Sequence, residues 1–146
     1  MAGRNSPEMR VRTASEQARP LDWPVLRRAM LVGTVLQLVL ALLAHLSGWI
    51  AVHALLFGAM MLSAISGYLY ALDTGRGFAD GATGGVIVGG ACGLFGVATS
   101  VVIGDTDPGL FVQNSIIFAF TGGIGGLFGH MAAVMQPPRG REERGP

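Results

Sequence analysis

No lysine occurs in this chain. All ten basic residues are arginine, and nine acidic residues leave a net charge of +1. Charge of either sign is scarce, at 13% of 146 residues, against ~25% in an ordinary soluble domain. Between Ala29 and Met135 only Asp73, Arg76, Asp80, Asp105 and Asp107 carry a formal charge. One cysteine, Cys92, excludes an intrachain disulfide and any multi-cysteine zinc pattern. These absences exclude a soluble enzyme, a nucleic-acid binder and a secreted disulfide scaffold. What remains is apolar and small: 51% of residues are hydrophobic and 23 are glycine, in runs long enough to cross a bilayer.

Four such runs predict an all-α membrane protein, with four transmembrane helices in an antiparallel up-down bundle. Residues 1–21 are polar and Arg-rich without apolar periodicity, and are expected to be a disordered tail. Asp22 and Pro24 have the chemistry of a helix start, since proline costs nothing in a first turn whose backbone donors are free. The spans are expected at about 24–46, 49–72, 81–104 and 110–135, together a domain over 22–135. Ser47 and Gly48 form the first turn, the Gly/Asp-rich stretch 73–80 the second, and Asp105 to Gly109 the third. Asp107 is expected to cap the last helix, with Pro108 in its first turn. Pro137 and Pro138 end it, and 136–146 is expected to be a second disordered tail. The pair Arg27 and Arg28 ahead of an apolar run has the look of an export signal. That run is too long for one and lacks a small-x-small cleavage site, so no cleaved leader is expected.

Arginine placement predicts orientation. With the N-terminus in the cytoplasm, Arg4, Arg10, Arg12, Arg19, Arg27, Arg28, Arg76, Arg139, Arg141 and Arg144 all lie inside. Neither outer turn then carries a basic residue, as the positive-inside rule requires. Both termini are thus expected in the cytoplasm of a bacterial cell, with the chain in its inner membrane. Trp23, Tyr68 and Tyr70 are expected at the inner interface and Trp49 at the outer one.

Small residues recur at helical spacing. Gly81, Gly85, Gly89 and Gly93 form one stripe of the third span, and Cys92, Gly96, Ser100 and Gly104 a second. Ala59, Ser63, Gly67 and Ala71 do the same on the second span, and Thr121, Gly125, Gly129 and Ala133 on the fourth. Glycine is a poor helix former in water, so such rows point to close backbone approach, the small-xxx-small mode of association in lipid. The stripe itself does not say whether its partner is another helix of this chain or another copy. Gly89, Gly90, Gly93, Leu94, Phe95 and Gly96 also match Gly122, Gly123, Gly126, Leu127, Phe128 and Gly129 at a constant offset of 33. Between successive spans this would be an inverted repeat, a device of transporters.

Few residues can carry chemistry. His45, His53, Asp105 and Asp107 fall at the outer surface, and imidazoles with carboxylates are the usual ligands of a divalent metal or relays of protons. Paired histidines on neighbouring helices also ligate haem. The same Asp residues are what a turn and a cap are made of, which is the favoured reading. His130, an ionisable residue inside the fourth span, is a functional candidate by its position, with Asp73, Arg76 and Asp80 as the charges nearest in depth. Gln37 shares a face with Gly33, Ala41 and His45, and it and Asn114 have the chemistry of interhelical glue. The segment Gly75 to Gly81 lacks the lysine and hydroxyl of a phosphate-binding loop and follows no strand.

The sequence therefore predicts a non-catalytic membrane protein, an accessory, assembly or scaffold subunit packing through its glycine stripes. Its surroundings are the lipid bilayer and either further copies or a larger membrane-protein partner, with no cofactor and no nucleic acid. A small transporter or oligomeric pore lined by Gln37, Asn114, Thr121 and His130 is the alternative. A metal or haem protein at the outer face is third.

Overall fold

Trp23 and Pro24 open the first helix, α1 (Trp23–Leu46), in the computed structural model, which describes residues 21–136. Asp22 stands at the N-cap position, yet its side chain makes no capping bond. Its carboxylate instead accepts from Arg76 Nη2 at 2.9 Å, tying the start of α1 to the second turn. The expected tails fall largely on 1–20 and 137–146, outside the described residues. Leu21, assigned to the first tail, packs on the apolar cluster of Leu26, Ala29, Tyr70, Val88 and Cys92. Its apolar side chain belongs to the domain.

The second run is not one helix. Residues Gly48–His53 form a short helix α2, and Ala54 breaks the path at φ −121° before α3 (Leu55–Thr74) begins. Twenty residues at 1.5 Å each still cover about 30 Å, the thickness of the hydrocarbon layer. Asp73 and Thr74 complete α3 rather than opening a loop, and Phe78, Ala79 and Asp80 already belong to α4 (Phe78–Val102). The connection shrinks to three residues because Gly75 takes the left-handed conformation (φ 58°) that closes helices. Asp80 in the first turn of α4 complements the positive end of its dipole.

Beyond α4, Gly104 (φ 83°) reverses the chain while Asp105 N and Thr106 N donate to Ser100 O. Asp107 does cap, but it caps a 3-10 turn over Pro108–Leu110: its carboxylate accepts from Gly109 N at 2.6 Å. That turn feeds directly into α5 (Phe111–Met135). Every regular element among the described residues is a helix, and four helices are long and apolar enough to span a membrane. An integral membrane protein is the consequence.

The glycine rows decide how the helices meet. On α4 the stripe Gly81, Gly85, Gly89 and Gly93 is buried, and on α3 so are Ala59, Ser63, Gly67 and Ala71. α5 carries two buried glycine edges. Gly122 and Gly126 lie on the backbone of α4, against the carbonyls of Gly85 and Gly81; Gly125 and Gly129 lie on that of α3, against the carbonyls of Ala64 and Tyr68. Thr121 and Ala133, expected in the same row, are only partly buried. A β-carbon at Gly89 would stand 2.6 Å from the Cα of Gly122, so one pair matched by the internal echo touches, while the other matched glycines meet different residues. The Leu-Phe pairs of that echo, Leu94–Phe95 and Leu127–Phe128, are exposed. The stripes are thus consumed within the chain, welding α3, α4 and α5. Lipid supplies no hydrophobic drive between helices, so dispersion at such short backbone separations is what holds them.

α1 rests on α3 and α4 through a different surface. Its buried row is Leu26, Ala29, Gly33, Gln37, Ala41 and Ala44. His45, expected to continue that face, is rotated out and its side chain is half exposed. Tyr70, expected at the interface, is fully buried, because Gly84 leaves room for its ring against α4. Val88, outside the glycine rows, is fully buried as well.

Candidate functional site

The helices do not stay welded along their whole length. Toward the end that carries His45 and Asp105, α5 presents Phe118 and Asn114, and the turn before it Leu110, where the other half of α5 presents glycine, and the chain breaks at Ala54 between α2 and α3. Bulk at these positions holds the backbones apart. The result is a cavity of about 290 Å³ bounded by α1, α2, α3, α4 and α5. Gln37, Ala59, Gly96 and Phe118 line it near mid-depth, and Asp105, Thr106 and Asp107 line it at the turn.

Gln37 is 3% exposed, and its Nε2 donates to the Ala59 carbonyl at 2.8 Å, joining α1 to α3. It lies across Gly96, whose missing side chain makes room: a β-carbon there would stand 3.1 Å from Gln37 Oε1. Ser100, one turn further along α4, is 5% exposed, and its hydroxyl makes no hydrogen bond among the described residues. Below the cavity Ser63 Oγ donates to Phe118 O at 2.7 Å, a second bond between helices. Ser63, Gly89 and Phe118 close the space beneath.

The sequence-predicted site residues divide. The structure brings Gln37, Asn114, Asp105 and Asp107 to one cavity. His45 Nδ1 lies 3.2 Å from Asp105 Oδ2, an interaction between the end of α1 and the α4–α5 turn. His53 goes elsewhere: its Nδ1 faces Trp49 O at 3.0 Å and its ring stacks on Trp49 at 5.2 Å between centroids. The expected set of two imidazoles and two carboxylates therefore does not converge. Among the described residues no three of His, Cys, Asp or Glu come close enough to share a metal ion.

His130 is buried near the opposite end, 7% exposed, with Phe78 edge-on at 4.5 Å. Its Nδ1 has no hydrogen-bond partner among the described residues, and none of the carboxylates expected nearby pairs with it. Cys92 Sγ donates to Val88 O within its own helix, beside Gly33 and Ser66. Sequence reasoning placed Ser100 only in a row of small residues. The signal it carried was a hydroxyl one turn before an Asp-rich turn.

No protein-family model, no curated protein and no solved structure matches this chain. Class rests on the fold: an integral membrane protein of four helices long enough to span the bilayer.

Proposed function

We propose that this chain is a non-catalytic accessory or scaffold subunit of a bacterial inner membrane. Its four spans would run up and down in antiparallel order with both termini cytoplasmic, and further copies or a larger membrane protein would cover its outer faces. The observation that carries this reading is the use made of polar groups inside the spans. Gln37 and Ser63 are each bonded to a carbonyl of another helix, which is a structural role. The contact register supports the helix order: Gly81 and Gly85 of α4 meet Gly126 and Gly122 of α5, while Gly33 and Gln37 of α1 meet Cys92 and Gly96 of α4.

Orientation rests on arginine. Arg27, Arg28 and Arg76 share one end of the bundle, and the α4–α5 turn at the other end contains only acidic charge. Reporter fusions at both termini should read cytoplasmic, and a periplasmic C-terminus would remove the model. With the glycines consumed internally, a scaffold role has to work through other surfaces. Native mass spectrometry from nanodiscs is the test, expected to give a defined oligomer or a co-purified membrane partner. A lone, ligand-free monomer would count against it.

The alternative is a small transporter. The cavity that gathers Gln37, Asn114, Asp105 and Asp107 favours it, since transporter sites lie between helices near mid-depth. Thr121, another residue of the expected path, spends its hydroxyl on Ile117 O of its own helix. Solute flux into liposomes containing the purified protein separates this reading from the first.

A further inference from the structure

We propose that the cavity bounded by α1, α2, α3, α4 and α5 is a binding site for a small organic cation: a primary ammonium carried on a compact apolar body. The inference stands apart from the scaffold reading, since a site of this kind fits a subunit or a transporter alike.

Size comes first. A cavity of about 290 Å³ falls just below the ~300–1,000 Å³ typical of ligand pockets, so it suits a compact molecule. Charge comes next. Among the described residues, the formally charged ones lining it are Asp105 and Asp107, and none is arginine. Carboxylates at the mouth of a low-dielectric cleft attract a cation and repel an anion.

Hydrogen bonding narrows the class further. Gln37 gives one of its two amide N–H donors to the Ala59 carbonyl at 2.8 Å, which fixes the side chain and leaves its carbonyl oxygen as an acceptor. The Ser100 hydroxyl is on a side chain nineteen-twentieths buried and lacks a partner among the described residues, although it lines the cavity. A hydroxyl left unpaired at a cavity wall can accept a hydrogen bond from a ligand that enters. Acceptors thus run from Gln37 through Ser100 to Asp105 along the α1–α4 side. A primary ammonium brings three N–H donors to such a wall, which a quaternary ammonium or a carboxylate cannot. Leu55, Ala59, Val97 and Phe118 supply the apolar surface for the body of the ligand.

His45 sets the strength of the site from outside. It holds Asp105 at 3.2 Å and competes for the carboxylate that the ammonium would use. Freeing that carboxylate should strengthen binding, a sign that a purely structural role for Asp105 does not produce.

The test uses the full chain in phosphatidylcholine nanodiscs, titrated with benzylamine, benzyl alcohol and benzoate and followed by calorimetry. Benzylamine should bind saturably at one per chain and benzoate should not bind. D105N should weaken benzylamine roughly tenfold, as expected for losing one charge-assisted hydrogen bond, and H45Q should tighten it. A59L, which fills the cavity, should abolish binding; D105N and H45Q sit at the exposed mouth and keep the test valid if that variant misfolds. Discs of phosphatidylethanolamine distinguish the source of the ammonium. Weaker benzylamine binding there would assign the site to the lipid headgroup, and equal binding to a free amine, each supporting the ammonium chemistry. Equal affinity for benzoate and benzylamine, or binding indifferent to both D105N and H45Q, would overturn the proposal.

Discussion

The two halves of the bundle are built from the same helices on opposite rules. In the half that holds Gly81, Gly126 and Gly129, α3, α4 and α5 touch backbone to backbone. In the half that holds Gln37, Asn114 and Asp105, side chains keep the same helices apart around a cavity. The switch on α5 falls at Phe118, the last bulky core residue before the glycines begin at Gly122. Closeness is therefore not a property of a helix but of the turn at which two helices meet. A single chain can be closely packed at one end and hollow at the other without changing topology.

Breaking the closed half should have the largest effect. In Gly126→Val the new β-carbon would meet the Gly81 carbonyl, a backbone atom that cannot rotate away. Overpacking of this kind costs about 3 kcal/mol or more where nothing can yield, so monodisperse protein should be lost on size exclusion. Valine at Gly48, which has open space around it, should elute like the parent.

At the border between the halves the obstruction is a side chain. A methyl group at Gly93 would come within 2.7 Å of Cγ of Phe118. Gly93→Ala should destabilise by about 1–3 kcal/mol in a denaturant titration. The cost of Gly93→Ala should be smaller in a Phe118→Ala background, which removes the ring atoms and keeps only the β-carbon, whereas no side-chain change can rescue Gly126→Val. An equal cost in both backgrounds would mean that the backbone and the β-carbon, not the ring, set the spacing there.

In the open half the effects should be smaller. Gln37→Leu removes the bond to Ala59 O and should cost about 0.6–2 kcal/mol, the range for interhelical hydrogen bonds in lipid. Smallest of all is His45→Gln, which breaks a partly exposed contact with Asp105 and should change stability by less than about 1 kcal/mol. A melting temperature that falls as far for His45→Gln as for Gly93→Ala would erase the distinction between the halves.

Much of this was legible in the residues themselves. The four spanning helices follow from apolar length, and Ala59, Ser63, Gly67 and the Gly81 to Gly93 stripe are buried where their spacing put them. Local chemistry was harder to place. Asp73 and Phe78 are helical because the glycine that stops α3 is Gly75, and a stretch rich in Gly and Asp does not say which glycine will turn left-handed. Tyr70 is polar at one atom and apolar elsewhere, so its hydropathy fits an interface as well as the interior it occupies beside Gly84. His53 failed to join His45 because Trp49, one turn back on the same short helix, offered a ring to stack on and a carbonyl to bond.

Hydropathy and periodicity are one-dimensional quantities, and they determined what one dimension can hold: helix, length, membrane, and which face is small. Tertiary structure alone decided what those faces meet. It turned the glycine stripes inward on α3, α4 and α5 and gave one edge of α5 to each neighbour. It also set Gln37 and Ser100, more than sixty positions apart, into one wall. The physical reason is that a glycine row permits close approach without naming a partner. The partner is fixed only when every helix has chosen its neighbours at once, and the space left over where bulk prevents contact becomes the cavity.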